Sequence, residues 1–187
     1  MSGRFETSLT ALAGLYSVRR LPVGDARGSL ERMYCRDELS PLLGERHIAQ
    51  VNRTHTAHRG TVRGMHFQHR PHAEAKLVSC LRGAVFDVAV DVRRGSPTFL
   101  KWHGELLTGD NHLTLAIPEG FAHGFQCLTD DCELLYVHTA AYCREAEGGL
   151  HPQDPRLAIA WALPVEALSP RDAAHPFVDD TFPGVEP

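Results

Sequence analysis

The sequence predicts an all-β sandwich or barrel, and three observations carry that prediction. Apolar and polar residues alternate over many short stretches, the period of a strand with one face buried. Gly, Pro, Asn and Asp punctuate these stretches at short spacing, as turns do in sandwiches and barrels. No strand–helix–strand rhythm appears, which argues against a parallel α/β sheet. The 187 residues suffice for one domain with a sizeable core. Residues 1–187 read as a single unit, with an N-terminal arm over 1–23 and a C-terminal segment over 154–187. There is no internal repeat or low-complexity tract.

In chain order, Leu15–Leu21 is the first predicted strand. Pro22 and Gly24 break it, and Gly24–Gly28 reads as a turn. Ser29–Cys35 alternates as a strand. Arg36–Glu45 reads as a short helix with Asp37 and Ser40 as candidate caps. Along Ile48–Thr56 one face carries Ile48, Gln50, Asn52, Thr54 and Thr56; so polar a face turns to solvent or to a polar cavity, and pattern alone favours solvent. Thr61–Gln68 alternates loosely. Arg70–Glu74 is a loop, Ala75–Arg82 a strand and Gly83 a turn. Ala84–Val92 has the clearest alternation: Phe86, Val88, Val90 and Val92 form a core face, against Val85, Asp87, Ala89 and Asp91. On pattern alone the two carboxylates assign that second face to solvent. Further strands are predicted at Leu100–Leu107, His112–Ile117, Phe125–Thr129 and Glu133–Thr139. The Pro-rich tail holds a short helix at Pro164–Leu168 or Pro170–Ala174.

Composition narrows the function. Hydrophobic residues at 43% and charged residues at 22% are ordinary for a soluble globular protein. A net charge of −4 argues against general binding to nucleic acid or a membrane surface, so any anion must be held by a local cluster. The five cysteines are odd in number and form no C-x-x-C pair, so they read as reduced thiols of a cytoplasmic protein. Leu9–Val18 is mildly apolar but runs into Arg19-Arg20 without a small-residue cleavage site, and no stretch approaches transmembrane length.

Residues 59–69 hold the densest chemistry. Arg59, Arg63 and His66 fall within eight residues, interleaved with Gly60 and Gly64. Regular strand geometry puts Arg63 and His66 on opposite faces. A bulge, which the glycines permit, brings both into one cavity. An anion clamp beside a proton carrier is the implied chemistry.

Pro118–His123 matches the P-x-G-x-x-H box of the cupin barrels, in which a tight turn delivers a histidine into a barrel mouth. A metal-dependent oxygenase would draw on His66, His69, His72, Glu74 and His123. Residues three apart on a strand point to opposite faces, so His66, His69 and His72 cannot form a facial ligand set without distortion. No metal and no cofactor are expected.

Longer matches are collinear: Arg63–Gln68, Lys76-Leu77-Val78, Arg82–Asp91, Arg94–Phe99 and Ile117–Phe125. Gln50-Val51-Asn52 and Asp25–Gly28 extend them toward the N-terminus, and Leu168–Asp172 toward the C-terminus. In these motifs the chain resembles the dTDP-4-dehydrorhamnose 3,5-epimerase family. The resemblance implies a metal-independent, cupin-type jelly roll acting as a homodimer on a nucleotide-diphosphate sugar, inverting C3 and C5 of a 4-keto-6-deoxyhexose.

It also implies roles. Epimerisation beside a ketone needs a base for a carbon-bound proton, a donor for the enolate oxygen and an acid on the opposite face. His66 matches the base, and a reference pKa of about 6.5 suits it to neutral pH. Asp172 resembles the carboxylate behind it, Lys76 the enolate stabiliser and Tyr136 the acid. Asp87 is expected to point into the same cavity and hold Lys76 or His66. Arg63 matches a phosphate clamp. Arg27, Glu31, Gln50, Asn52, His123, Tyr142 and Arg171 fall on family positions that line the sugar or nucleotide site.

The chain also departs from the family. Val137 follows Tyr136 where lysine is usual, Ala141-Tyr142 keeps one tyrosine of a pair, Glu147-Gly148-Gly149 replaces Glu-Arg-Gly, and Pro152 replaces an aromatic. These changes leave the base, enolate stabiliser and acid intact. They leave open the nucleotide, the sugar and the number of centres inverted. A single-centre epimerase and a cupin 3,4-ketoisomerase are the alternatives within nucleotide-sugar chemistry.

Overall fold

The computed structural model describes residues 3–186. Two antiparallel sheets face each other as an open sandwich, and a third, two-stranded ribbon stands apart. The six-stranded sheet runs in the order β1 (Phe5–Leu9), β2 (Tyr16–Arg20), β10 (Leu113–Ile117), β7 (Lys76–Arg82), β12 (Cys132–His138) and β5 (Gln50–Thr56). The five-stranded sheet runs β13 (Glu147–Gly149), β6 (Val62–Gln68), β11 (Phe121–Cys127), β8 (Ala84–Asp91) and β9 (Trp102–Thr108). The ribbon pairs β3 (Val23–Asp25) with β4 (Gly28–Leu30). Two short helices complete the fold, α1 (Arg36–Leu43) and α2 (Pro170–Ala173). The described chain is therefore an all-β sandwich, as the alternation and turn spacing predict, and it agrees with the jelly roll that the resemblance implies.

Three apolar layers hold it together. The inner layer joins Val78, Leu115, Leu134 and Tyr136 of one sheet to Val85, Ala89, Phe121 and Phe125 of the other. Outside the five-stranded sheet, Met65, Val88, Val90 and Ala122 are covered by Leu150 and by Leu157, Val178 and Val185 of the C-terminal segment. Outside the six-stranded sheet, Val18, Leu77, Ala116 and Val137 are covered by Leu39 and Leu43 of α1.

This layering corrects the reading of β8. Both of its faces are buried, and Asp87 and Asp91 are fully enclosed rather than solvated. Asp91 accepts from Arg93 (Nη2 at 2.7 Å), Ser96 and Thr98, so it organises the following turn. The polar face of β5 is corrected too: Asn52 and Thr54 line a cavity between the sheets. Pattern cannot distinguish water outside from a polar hollow inside, because both favour the same residues.

Smaller differences have local causes. Cys35, not Asp37 or Ser40, precedes α1, and the Ser40 hydroxyl donates back to the Asp37 carbonyl at 3.0 Å. The strand expected over Ser29–Cys35 shrinks to Gly28–Leu30, and of the two C-terminal helix candidates only Pro170–Ala173 forms. His123 lies within a strand that begins at Phe121, so the Pro118–Gly120 turn delivers it from a distance. The strand at Leu15–Leu21 is interior, paired on both sides by β1 and β10.

The bulge that Gly64 permits is present. His66 pairs with His123 and Arg63 with Phe125, so three steps along β6 match two along β11. Gly64 has φ +134°, and a Cβ there would lie 2.5 Å from the Gly124 Cα. Only two glycines can pass at that separation. Gly64→Ala is expected to lower stability by at least about 2 kcal/mol, from strain plus overpacking, measured by urea denaturation. A variant of unchanged stability would show that β6 tolerates a side chain here.

Candidate active site

The bulge aims β6 into a cavity of about 680 Å³ between the sheets, within the ordinary range for a ligand pocket. Arg63 and His66 both line it, joined by His123 of β11, Lys76 of β7, Tyr136 and His138 of β12, and α2.

His66 is tied to Asp172 across 106 residues of sequence, with Nε2 at 2.7 Å from Oδ1. Asp172 reaches it because Ser169 caps α2, accepting from the Asp172 amide at 3.0 Å. Burial alone would raise the Asp172 carboxyl, but the hydrogen bond with His66 and its charge hold it below the usual range. With Nε2–H given to that carboxylate, Nδ1 carries the free lone pair. His175 packs edge-on against the His66 ring at 5.5 Å. Its imidazole is pushed down by burial first and by the neighbouring His66 second. Gly149 makes room for it, since a Cβ there would meet the His175 ring at 2.3 Å. His66, Asp172 and His175 offer ligand atoms within 4.8 Å of one another, but two of the three are already engaged in the hydrogen bond.

Tyr136 faces this pair from the opposite sheet. Burial, then the charge of Asp87, pushes its phenol well above the ordinary value, so it stays protonated. Its ring lies between His123, edge-on at 5.9 Å, and His138, stacked at 5.7 Å.

Asp87 enters the core beside these rings, but it holds neither Lys76 nor His66. Its Oδ1 lies 2.9 Å from His123 Nε2, and Oδ2 has no partner. Lys76 is held instead by Glu74, Nζ to Oε1 at 2.8 Å, and the other Glu74 oxygen takes His138 Nδ1 at 2.7 Å. Burial alone would raise the Glu74 carboxyl, but the His138 hydrogen bond and the Lys76 charge bring it down to about 2.

At the mouth, Arg63 is exposed and donates from Nε to Thr56 at 2.9 Å. Arg171 and Tyr142 both bond Glu147, at 3.1 Å each. Gln50 accepts from the Tyr142 amide at 3.0 Å, which fixes the loop after β12. Four expected residues, Asp87, Gln50, Arg27 and Glu31, are absent from the cavity lining. Arg27 sits in the β3–β4 turn, 89% exposed and paired with Asp25, and Glu31 pairs with Arg20 and His112. His69 and His72 do not line the cavity, so the oxygenase ligand set does not assemble. His138, Thr54 and His175 went unassigned in the sequence. The first two were within reach of period two: His138 follows Tyr136 by two, and Thr54 follows Asn52 by two.

The cavity thus sets a carboxylate-backed histidine on one sheet, a protonated tyrosine on the other and a paired lysine beside them, an arrangement suited to an isomerase that works by acid–base chemistry. The family model described as dTDP-4-dehydrorhamnose 3,5-epimerase matches residues 9–180, and the chain belongs to that family. The dTDP-4-dehydrorhamnose 3,5-epimerase of Sinorhizobium fredii is 40% identical over 167 residues, covering 89% of this chain and 86% of that protein. The dTDP-4-dehydrorhamnose 3-epimerase of Streptomyces niveus is 39% identical, covering 86% and 78%. The crystal structure of the dTDP-6-deoxy-D-glucose-3,5-epimerase RmlC of Legionella pneumophila, in complex with dTDP-4-keto-L-rhamnose, superposes with a TM-score of 0.89 at 37% identity, covering 98% and 99%.

The Glu74 pairing predicts a pH effect. A carboxyl whose folded value lies below its unfolded one adds stability above the unfolded value and loses it as pH falls to the folded one. Glu74 thus contributes fully above about 4.5 and progressively less down to about 2. Glu74→Gln is expected to make urea-denaturation stability less steeply pH-dependent across that window. An acid limb identical to wild type would refute the pairing.

Proposed function

We propose that the protein epimerises a dTDP-4-keto-6-deoxyhexose, converting dTDP-4-dehydro-6-deoxyglucose to dTDP-4-dehydrorhamnose. The observation that carries this is the His66–Asp172 pair facing a buried, protonated Tyr136 across one cavity. His66 Nδ1 removes the proton from a ring carbon beside the ketone, and Asp172 carries the charge that forms on the imidazole. The C–H electron pair moves into an enolate whose oxygen sits on Lys76. A preorganised donor of that kind lowers the barrier by roughly 3–4 kcal/mol. Tyr136 returns a proton from the opposite face. Asp87 acts through His123, which walls the tyrosine. Arg63, Asn52, Tyr142 and Arg171 hold the diphosphate and nucleoside at the mouth. The chemistry uses no metal or cofactor.

A single-centre reading has one observation in its favour: a relative named as a 3-epimerase matches nearly as well as those named as 3,5-epimerases. The ketoisomerase reading gives no role to the Tyr136 side of the cavity.

We further place the protein in the cytoplasm, where its five unpaired thiols persist, and as a homodimer of single-domain chains. No helix of the described residues is long and apolar enough to cross a membrane. Exposed Leu9, Val23 and Leu30 give the N-terminal strands an apolar surface to bury. A dimer that carries the β3–β4 ribbon to the second copy's cavity reconciles the Arg27 and Glu31 positions with their distance from their own. Sedimentation velocity is expected to give twice the monomer mass of 20.7 kDa; a monomer at micromolar concentration would overturn this.

Incubation with dTDP-4-keto-6-deoxyglucose in deuterated water is expected to place label at the carbons flanking the ketone. His66→Asn should lower exchange at every labelled carbon by about 10³-fold or more. Tyr136→Phe should allow proton loss while impairing epimer formation. Absence of label from the unmodified protein would sink the epimerase reading.

A further inference from the structure

One titratable pair in the cavity is left idle by that reaction. His138 lies two residues beyond Tyr136, so both side chains share a face of β12. In the ladder it stands opposite Lys76 on β7 and Gln50 on β5. Glu74 bridges it to Lys76, one carboxylate oxygen to each. The three side chains are nearly buried, at 10% for His138, 10% for Glu74 and 7% for Lys76, yet all line the cavity. Enclosing two more charge-bearing groups beside a lysine costs desolvation that Lys76 alone does not require. His138 Nε2 has no hydrogen-bond partner among the described residues, and it is not sealed in the core, so it opens on the cavity.

We propose that His138 is a second proton donor of the site, seated on Glu74, which reprotonates one carbon flanking the ketone while Tyr136 reprotonates the other. The inference rests on the epimerase reading and deepens it. Two donors two residues apart on a strand are separated by about 6.6 Å along the chain, so each serves one side of the ketone without the sugar turning over.

The step balances. His66 takes the ring-carbon proton, and the C–H pair becomes the enolate, its charge on the oxygen beside Lys76. The enolate carbon then takes the Nε2 proton of the His138 imidazolium on the opposite face. The new C–H bond forms, the carbonyl is restored, and His138 is left neutral with Nδ1–H still donated to Glu74. His66 then loses a proton to water and His138 regains one, leaving no net change in charge.

The test is position-resolved. The unmodified protein, His138→Gln and Tyr136→Phe are run on dTDP-4-keto-6-deoxyglucose in deuterated water, with C3 and C5 followed separately by NMR. The unmodified protein should label and invert both carbons. His138→Gln, whose amide can still bond Glu74, should lose inversion at one carbon by about 100-fold or more. The other carbon should keep its rate, which also reports that the variant is folded, and Tyr136→Phe should show the complementary loss. If circular dichroism shows that His138→Gln does not fold, the decision passes to His138→Ala, where added imidazole should restore the lost centre alone. An equal fall at both carbons in a folded variant, no fall at either, or inversion of one carbon only by the unmodified protein overturns the inference and leaves the epimerase reading standing. No label from the unmodified protein overturns both.

Discussion

A hollow between two sheets can hold charge only where each charge has a partner, and that constraint organises this molecule. Three histidine–carboxylate pairs meet at the cavity: His66 with Asp172, His123 with Asp87, and His138 with Glu74, the last shared with Lys76. A lone buried charge would cost several kcal/mol, and pairing is what makes a polar interior tolerable. The pairs also fix geometry. Asp172 pins the C-terminal α2 to β6 through His66 and the Gly64 amide. The buried Asp154 works in the same way, accepting from the amides of Leu157 and Val178 beneath that segment.

Against this framework, the departures from the family separate into those that reach the site and those that do not. Val137, in place of lysine, points away from Tyr136 and packs beneath α1. Pro152 offers its carbonyl to Trp161 Nε1 at 2.8 Å, outside the cavity. The Glu147-Gly148-Gly149 stretch is different, because it forms β13 alongside β6. Glu147 braces Tyr142 and Arg171 at the mouth, and Gly148 and Gly149 admit Phe67 and His175. Where the chain diverges, His66, Lys76, Tyr136 and Asp172 are unchanged and the differences that reach the site lie at its rim.

Much of the fold was legible because strand periodicity is a local property. Eight of the strands (β2, β5 to β10 and β12) could be placed from the alternation and turn pattern, and the pair of glycines in Arg59–His69 permitted the bulge. The resemblance supplied His66, Lys76, Tyr136 and Asp172, which the fold does gather at one cavity. Asp87 shows where this approach stops. Pattern assigned it to solvent, and only the resemblance turned it inward, with the wrong partner: Lys76 goes to Glu74, two residues away in sequence, and Asp87 goes to His123 across the β8–β11 ladder. Arg27 and Glu31 show the same limit, since both match family positions yet lie outside this chain's own cavity.

The sequence by itself determined most of the strands, because side-chain period and turn chemistry act over a few residues. The tertiary structure decided who pairs with whom. It turned the polar face of β5 inward, enclosed Asp87 and Asp91, brought Asp172 across 106 residues to His66 and set His138 beside Tyr136. Those outcomes depend on which strands lie adjacent and on where one bulge shifts the register, and neither is encoded in any single stretch of the chain.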